Sequence, residues 1–277
     1  MGARVTSGVM NRFVNPLLRM GKFMHRMGPM NGAWAYAQVL RNQRVGRSEH
    51  LYAIKVPGYP EPLWLRAGDS DAVIFGQVMI DWQYNLPALD DVRLIVDCGA
   101  NIGMSALYFA RRYPQAKVLA IEPEPGNYAM LVRNTRHVAA IQPVHAAVWP
   151  RPASLSIVDP ARSHASISVT EGPGKGATGI RSVQLRDVVA EHGKIDILKI
   201  DIEGSEKALF EDPSCGEWLT NTRVIYAELH DWMTPGSSRA FYQAATRFDF
   251  SQQHLGEIVA IELHHRANSH SSPAASR

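Results

Sequence analysis

A chain of 277 residues has room for one large domain, or one domain with an extension, and its 45% hydrophobic and 20% charged residues are ordinary for a soluble globular enzyme. The net charge of +3 is too small to make nucleic acid a partner, but it is unevenly spread: residues 1–60 hold nine Lys/Arg against Glu49 alone. Only Cys98 and Cys215 are present, which excludes a disulfide framework and points to a reducing, cytoplasmic setting.

No apolar run approaches the ~18 residues of a membrane span, and the first residues lack the compact apolar stretch of a signal peptide. Met1-Gly2 with Thr6 fits the loose N-myristoylation pattern, which is short enough to arise by chance. Phe13, Leu17, Met20, Met24 and Met27 recur at alternating steps of four and three, one stripe of a helix. Arg12, Arg19, Lys22 and Arg26 fall on another face. The favoured reading packs the stripe on the core and leaves the charges in solvent. The alternative lays residues 10–27 on an anionic membrane surface as a peripheral contact.

Gly28-Pro29 ends this helix, and a second is expected over Ala33–Arg41. Residues 50–66 alternate as a hairpin broken by Pro57, Gly58 and Pro60. Asp71 to Met79 reads as a short helix, and Trp82 to Pro87 as an aromatic loop. From Arg93 onward strands and helices alternate, the signature of a parallel α/β sheet. The pattern predicts strands at Arg93–Asp97, Lys117–Glu122, Gln142–Val148, Ile195–Asp201, Arg223–His230, Phe248–Gln252 and Glu257–His264. Helices are expected at Met104–Arg112, Gly126–His137, Leu185–Glu191, Glu206–Phe210 and Arg239–Thr246.

Only a turn around His254–Gly256 separates the last two strands, so they form an antiparallel hairpin. Asp159–Arg181, rich in Gly, Ser and Pro, reads as an excursion over the ligand pocket, and 267–277 as a disordered tail. The chain then divides into a basic extension over 1–65, a doubly wound, Rossmann-like domain of seven strands over 66–266, and the tail.

Such a sheet binds its ligand beyond the carboxyl ends of its strands, where the strand order reverses. The first strand there delivers Asp97 and the turn Gly99-Ala-Asn101-Ile-Gly103. Its glycines admit a ligand close to the main chain, and such a turn points free N–H groups at a bound nucleotide-like cofactor. The second strand delivers Glu122, 19 residues after Gly103, placed to accept the hydroxyls of a ribose. NAD and S-adenosylmethionine both carry that ribose.

Three features favour S-adenosylmethionine. The turn lacks the third glycine that lets a helix pack beside a pyrophosphate. Asp97 suits a cationic amine and repels a pyrophosphate. The closing hairpin is antiparallel, where dinucleotide domains finish parallel.

The fourth strand ends in Leu198-Lys199-Ile-Asp201-Ile-Glu203-Gly204-Ser205-Glu206. With Arg66–Asp71, Val96–Gly103, Ala120–Asn127 and Ala227-Glu228-Leu-His230, in that order, this block resembles the FkbM family of S-adenosylmethionine-dependent methyltransferases. The resemblance covers Arg66 to about His230. It implies the methyltransferase form of the sheet, with Gly99, Asn101 and Gly103 contacting the methionine part of the cofactor and Glu122 its ribose. Asn127 then lies near the adenosine, or caps the second helix. No acid follows the third strand (Ala146-Ala147-Val148) to hold the adenine.

The family further implies O-methylation of a hydroxyl on a small-molecule or glycoconjugate acceptor such as a sugar or secondary metabolite. Among the candidate catalytic residues Asp201, Glu203, Lys199 and His230, the imidazole titrates in the useful range and is the preferred base. The other reading has His230 merely fixing a loop through a carboxylate. Lys199 shares a face with Asp201 and can neutralise it or hold the acceptor oxygen. The favoured site contains no metal; the less favoured alternative is a divalent ion held by Asp201, Glu203, Glu228 and His230. Arg66 and Asp71 are expected to brace each other, Trp82, Tyr84 and Trp149 to pack, and Trp232 to approach the acceptor. His164 and Ser166 lie on the excursion. Rival functions are a nucleotide-dependent oxidoreductase and a non-catalytic binding module.

Overall fold

Leu94, Val96 and Cys98 alternate with Ile95 and Asp97, and all five residues of this strand, β3 in chain order, are buried. A strand apolar on both faces must lie inside a sheet covered on both sides. The computed structural model, in which residues 15–46, 50–158, 168–172 and 179–264 are described, places β3 (Leu94–Cys98) in the middle of the parallel strands.

On one flank lie β4 (Lys117–Glu122) and β5 (Ile141–His145), and on the other β10 (Ile195–Ile200) and β11 (Thr222–Glu228), all parallel. β13 (Ile258–His264) pairs antiparallel with β11 and with the edge strand β12 (Asp249–Leu255). The seven-stranded order β12-β13-β11-β10-β3-β4-β5 is the expected doubly wound sheet closed by an antiparallel hairpin. The chain runs outward from β3 through β4 to β5 and then returns to β10. The switch point therefore lies between the carboxyl ends of β3 and β10.

Alternation sends Ile95, Ile197 and Ala120 to one face, with α4 (Met104–Arg112) and α5 (Pro125–Thr135). Val96, Leu198 and Ile121 face the other, under α6 (Leu185–His192), α7 (Glu206–Glu211), α8 (Cys215–Leu219) and α9 (Ser237–Ala245). The short α8 has no counterpart in the expected elements, because five residues between Pro213 and Thr220 offer too little periodicity to read.

The expected strand Gln142–Val148 is two strands. After His145 the chain leaves the main sheet, and β6 (Ala147–Val148) pairs instead with β9 (Ile180–Val183). β9, β7 (Ser154–Val158) and β8 (Ser168–Glu171) complete a small second sheet around Trp149 and Leu155. The expected excursion thus carries β8 and the start of β9, whose polar residues mask the strand period. His164, Ser166 and the tail lie outside the described residues.

The amino-terminal part packs on the α4 face. α1 (Pro16–Met27) buries Phe23 and Met27, α2 (Pro29–Gln43) buries Ala35 and Val39, and β1 (Leu51–Ile54) and β2 (Leu63–Arg66) form the expected hairpin. Only the second half of the α1 stripe is covered, since Leu17 is 70% exposed. The described residues of the basic face find partners. Arg19 and Lys22 pair with Asp81 at 2.5 and 2.7 Å, and Arg26 lies 3.5 Å over the Trp82 ring. These charges clamp α1 to the end of the π-helical turn Gly76–Ile80, which continues α3 (Asp71–Phe75). Among the described residues, no helix is long and apolar enough to cross a membrane.

Candidate active site

A cavity of about 600 Å³ opens at the switch point. Gly99, Asn101, Glu122 and Asn127 line one end, and Lys199, Asp201, Glu203, Glu228 and His230 the other. Asp97 and Gly103 stand behind this wall. Gly103, at φ +89°, starts α4, and Asp97 is fully buried, accepting from Ser105 Oγ at 2.6 Å.

The glycine turn keeps its amides to itself. The N–H groups of Gly99 and Ala100 donate to the Ile121 carbonyl, Gly103 to Ala100, Asn101 to Glu122, and Ile102 to the Asn101 side chain. The expectation that free amides face the ligand is therefore corrected: shape and side chains are what the turn offers. Gly99 is glycine because a Cβ there would collide with the carbonyl oxygen of Asp201. Lys199 Nζ reinforces that approach, donating to the Gly99 carbonyl at 2.5 Å while lying 3.4 Å from Asp97 and 3.2 Å from Asp201. Burial alone would lower the lysine pKa, but the two carboxylates outweigh it and keep it charged.

Glu122 accepts backbone N–H bonds from Asn101 and Glu124, each at 2.9 Å, and its pKa rises to about 7, chiefly through burial. Asn127 does not cap α5. Glu124 does, accepting the Asn127 amide at 2.5 Å. The Asn127 side chain instead accepts from Arg66 at 2.6 Å and approaches Glu122 at 3.5 Å. Arg66 and Asp71 pair at 2.7 Å as expected, so the brace extends through Asn127 to Glu122, a link that nothing in their spacing announces.

At the other end Glu203 has φ +49°, an unusual backbone for a non-glycine residue, and the turn it makes with Gly204 brings its carboxylate beside His230. His230 is buried. Its Nδ1 donates to Glu206 at 2.8 Å, and its Nε2 faces Glu203, Glu228 and Asp201 at 3.4, 3.7 and 3.8 Å. Burial pulls the imidazole pKa down, yet the Glu206 hydrogen bond and the surrounding acids raise it to about 10. Burial and mutual repulsion push Glu203 and Glu228 well above the usual carboxylate range.

Glu206, which sequence reasoning left unassigned, is the buried support of this cluster. Its position in the first turn of α7 was the available signal. Gln77 and Val78 from the π-helical turn, Gln83, Tyr84 and Glu257 also line the cavity unannounced. Trp232 stands at its rim, 62% exposed, and Val169 of β8 closes a flank.

The methyltransferase FkbM domain model matches residues 97–267, more than half of the chain. The chain belongs to the FkbM methyltransferase family. It is similar to the methyltransferase sdnD of Sordaria araneosa, 30% identical over 187 residues that cover 55% of this chain and 72% of that protein. It is also similar to the 31-O-demethyl-FK506 methyltransferase FkbM of Streptomyces tacrolimicus, 30% identical over 171 residues, 50% of this chain and 65% of that one. Among solved structures, M. jannaschii TYW2 in complex with AdoMet aligns at 14% identity and a TM-score of 0.43, covering 79% of this chain and 87% of that one.

As an FkbM-family methyltransferase, the protein takes S-adenosyl-L-methionine as its cofactor. The residues present fit that molecule. Glu122 is a buried acid beside the turn, and Ile121, Pro123, Ala147, Val148 and Val169 wall an apolar slot next to it.

Proposed function

We propose that the protein methylates a hydroxyl oxygen of an uncharged, polyhydroxylated acceptor such as a sugar, a glycoconjugate or a secondary metabolite. The observation that carries this reading is the carboxylate cluster at the end of the cavity away from Glu122. Asp201, Glu203, Glu228 and Glu257 supply hydrogen-bonding partners for hydroxyl groups, while Lys199 and His230 at that end are already paired with carboxylates rather than turned to an anionic acceptor. The name of the Streptomyces relative, which places its methylation on an oxygen, agrees.

In this reading Glu122 and Asn127 hold the ribose, and the apolar slot takes the adenine without an acid. Lys199 and Asp97 fix the wall between cofactor and acceptor. When bound, S-adenosylmethionine supplies an electrophilic methyl group: the acceptor O–C bond forms as the S–C bond breaks, leaving S-adenosylhomocysteine.

The acceptor proton passes to a carboxylate. His230, the residue expected to be the base, is held charged up to about pH 10 and has no free site for a proton at neutral pH. Its place is to anchor the acids around it. Glu228, 22% exposed on the cavity wall and with its pKa pushed up to about 8 by burial and by Asp201, is the proton acceptor in its ionised form.

Incubation with methyl-labelled S-adenosylmethionine and a panel of neutral polyols, amines and carboxylates tests this, with the labelled atom located by NMR. Oxygen-linked methyl on a polyol, lost about 100-fold or more in Glu228→Gln, is the expected result. Label on nitrogen or carbon, or undiminished turnover in Glu228→Gln, overturns it.

A further inference from the structure

We propose that Asp201, Glu203 and His230 form a binding site for one divalent first-row cation of the Mn²⁺ type, which draws a vicinal pair of acceptor oxygens into the cavity. One ligand atom from each of these three side chains lies within 4.8 Å of the other two, on the wall of the cavity. The Nε2 atom of His230 is 3.4 Å from Glu203 Oε2 and 3.8 Å from Asp201 Oδ1. These separations are longer than hydrogen bonds. Two ligands bound at about 2.1 Å to a shared ion, near tetrahedral or octahedral angles, stand about 3 to 3.5 Å apart, so modest tightening suffices.

Two independent features point to an ion. The first lies behind the imidazole. A histidine that ligates a metal through one nitrogen donates the other N–H to a carboxylate, which fixes the ring. His230 does this through Nδ1 to Glu206, a fully buried side chain that itself accepts from the amides of Ile202 and Gly204. With Nδ1 held by that bond, an arriving ion takes the place of the Nε2 proton and meets the lone pair it leaves.

The second is Glu203 Oε2, which is buried among the described residues and makes no hydrogen bond. The positive-φ turn holds it there, facing Nε2. Lys199, on the same cavity wall, is already engaged by Gly99, Asp97 and Asp201.

Two carboxylates with one imidazole suit Mn²⁺, Fe²⁺ or Zn²⁺ better than Ca²⁺, which takes six to eight oxygens. Glu228 Oε1, 3.7 Å from the same nitrogen, stands beside the triad and keeps its proton-accepting role. The ion's action on the acceptor, lowering the hydroxyl pKa and orienting two neighbouring oxygens, rests on the proposed hydroxyl methylation. Its binding does not.

The test uses the whole chain stripped with EDTA and titrated with MnCl₂, free Mn²⁺ being read by electron paramagnetic resonance. S-adenosylhomocysteine is titrated into the same samples to show that each variant folds and keeps its cofactor end. One Mn²⁺ per chain is expected, with binding weakened at least about tenfold in Asp201→Asn and in Glu203→Gln, and about 10- to 100-fold in Glu206→Gln. Among acceptors, a 1,2-diol gains turnover on adding Mn²⁺ and its mono-deoxy analogue does not. Absence of Mn²⁺ binding, or binding indifferent to both ligand substitutions, overturns the inference and leaves protonated His230 as the cation of the cluster. If S-adenosylhomocysteine still binds in that case, the methyltransferase reading stands.

Discussion

Glu122 and Glu203 are both carboxylates set at the carboxyl end of the sheet, and both have raised pKa values, yet their surroundings are opposite. Glu122 is answered by the backbone: two amides donate to it, and the chain Asp71-Arg66-Asn127 holds its position. Glu203 is answered by other acids and by one histidine, and its buried oxygen makes no hydrogen bond. The first end of the cavity is finished before any ligand arrives. The second stores unsatisfied charge that something arriving must neutralise. A preorganised end suits an invariant cofactor, and an unsatisfied one suits a cation or a reacting hydroxyl.

Lys199 joins the two ends, so removing it is the most severe way to break the contrast. Lys199→Met leaves the buried Asp97 and the partly exposed Asp201 without their shared cation, and stability is expected to fall by about 3 kcal/mol in urea unfolding. A loss below 1 kcal/mol would mean that Lys199 does not join the two ends and the contrast is misdrawn.

Glu122→Ala should weaken S-adenosylhomocysteine binding about 10- to 100-fold by calorimetry, since it removes the ribose acceptor and orphans two amides. The same end has a pH signature. Glu122 accepts hydroxyl hydrogen bonds fully only when ionised, and its pKa is about 7. Affinity should then be flat above that pH and fall about tenfold per unit below it. Glu122→Gln should be weaker throughout and flat. A wild-type profile without this break would place the cofactor elsewhere.

The smallest effect lies far from both ends. Asp81→Ala removes two partly exposed ion pairs that clamp α1, and about 0.5–1 kcal/mol of stability should go with them, cofactor affinity staying unchanged. Altered affinity would show that the extension acts on the cavity through the π-helical turn.

The sheet was legible because buried strands leave apolar runs and their ends leave polar punctuation. Lys117–Glu122 and Met104–Arg112 fall where the pattern puts them. The places of Asp97, Gly99 and Glu122 were legible for a related reason: they sit at fixed offsets from strand ends. The roles of neighbouring residues were not. Whether His230 accepts a proton or holds one depends on Asp201, Glu203 and Glu206 of one other segment folding around its ring, and a linear sequence carries no charge map of that kind. The second sheet escaped for want of period, and the partnership of Asp81 with α1 because 62 residues separate it from Arg19.

The left-handed backbone at Glu203 has a consequence for how this protein can change. Glycine would occupy that position with less strain, by about 1 kcal/mol or more. Random mutation followed by selection for heat resistance should therefore favour Glu203→Gly, and each such clone would lose the carboxylate. Thermal robustness and the cavity carboxylate compete for one codon.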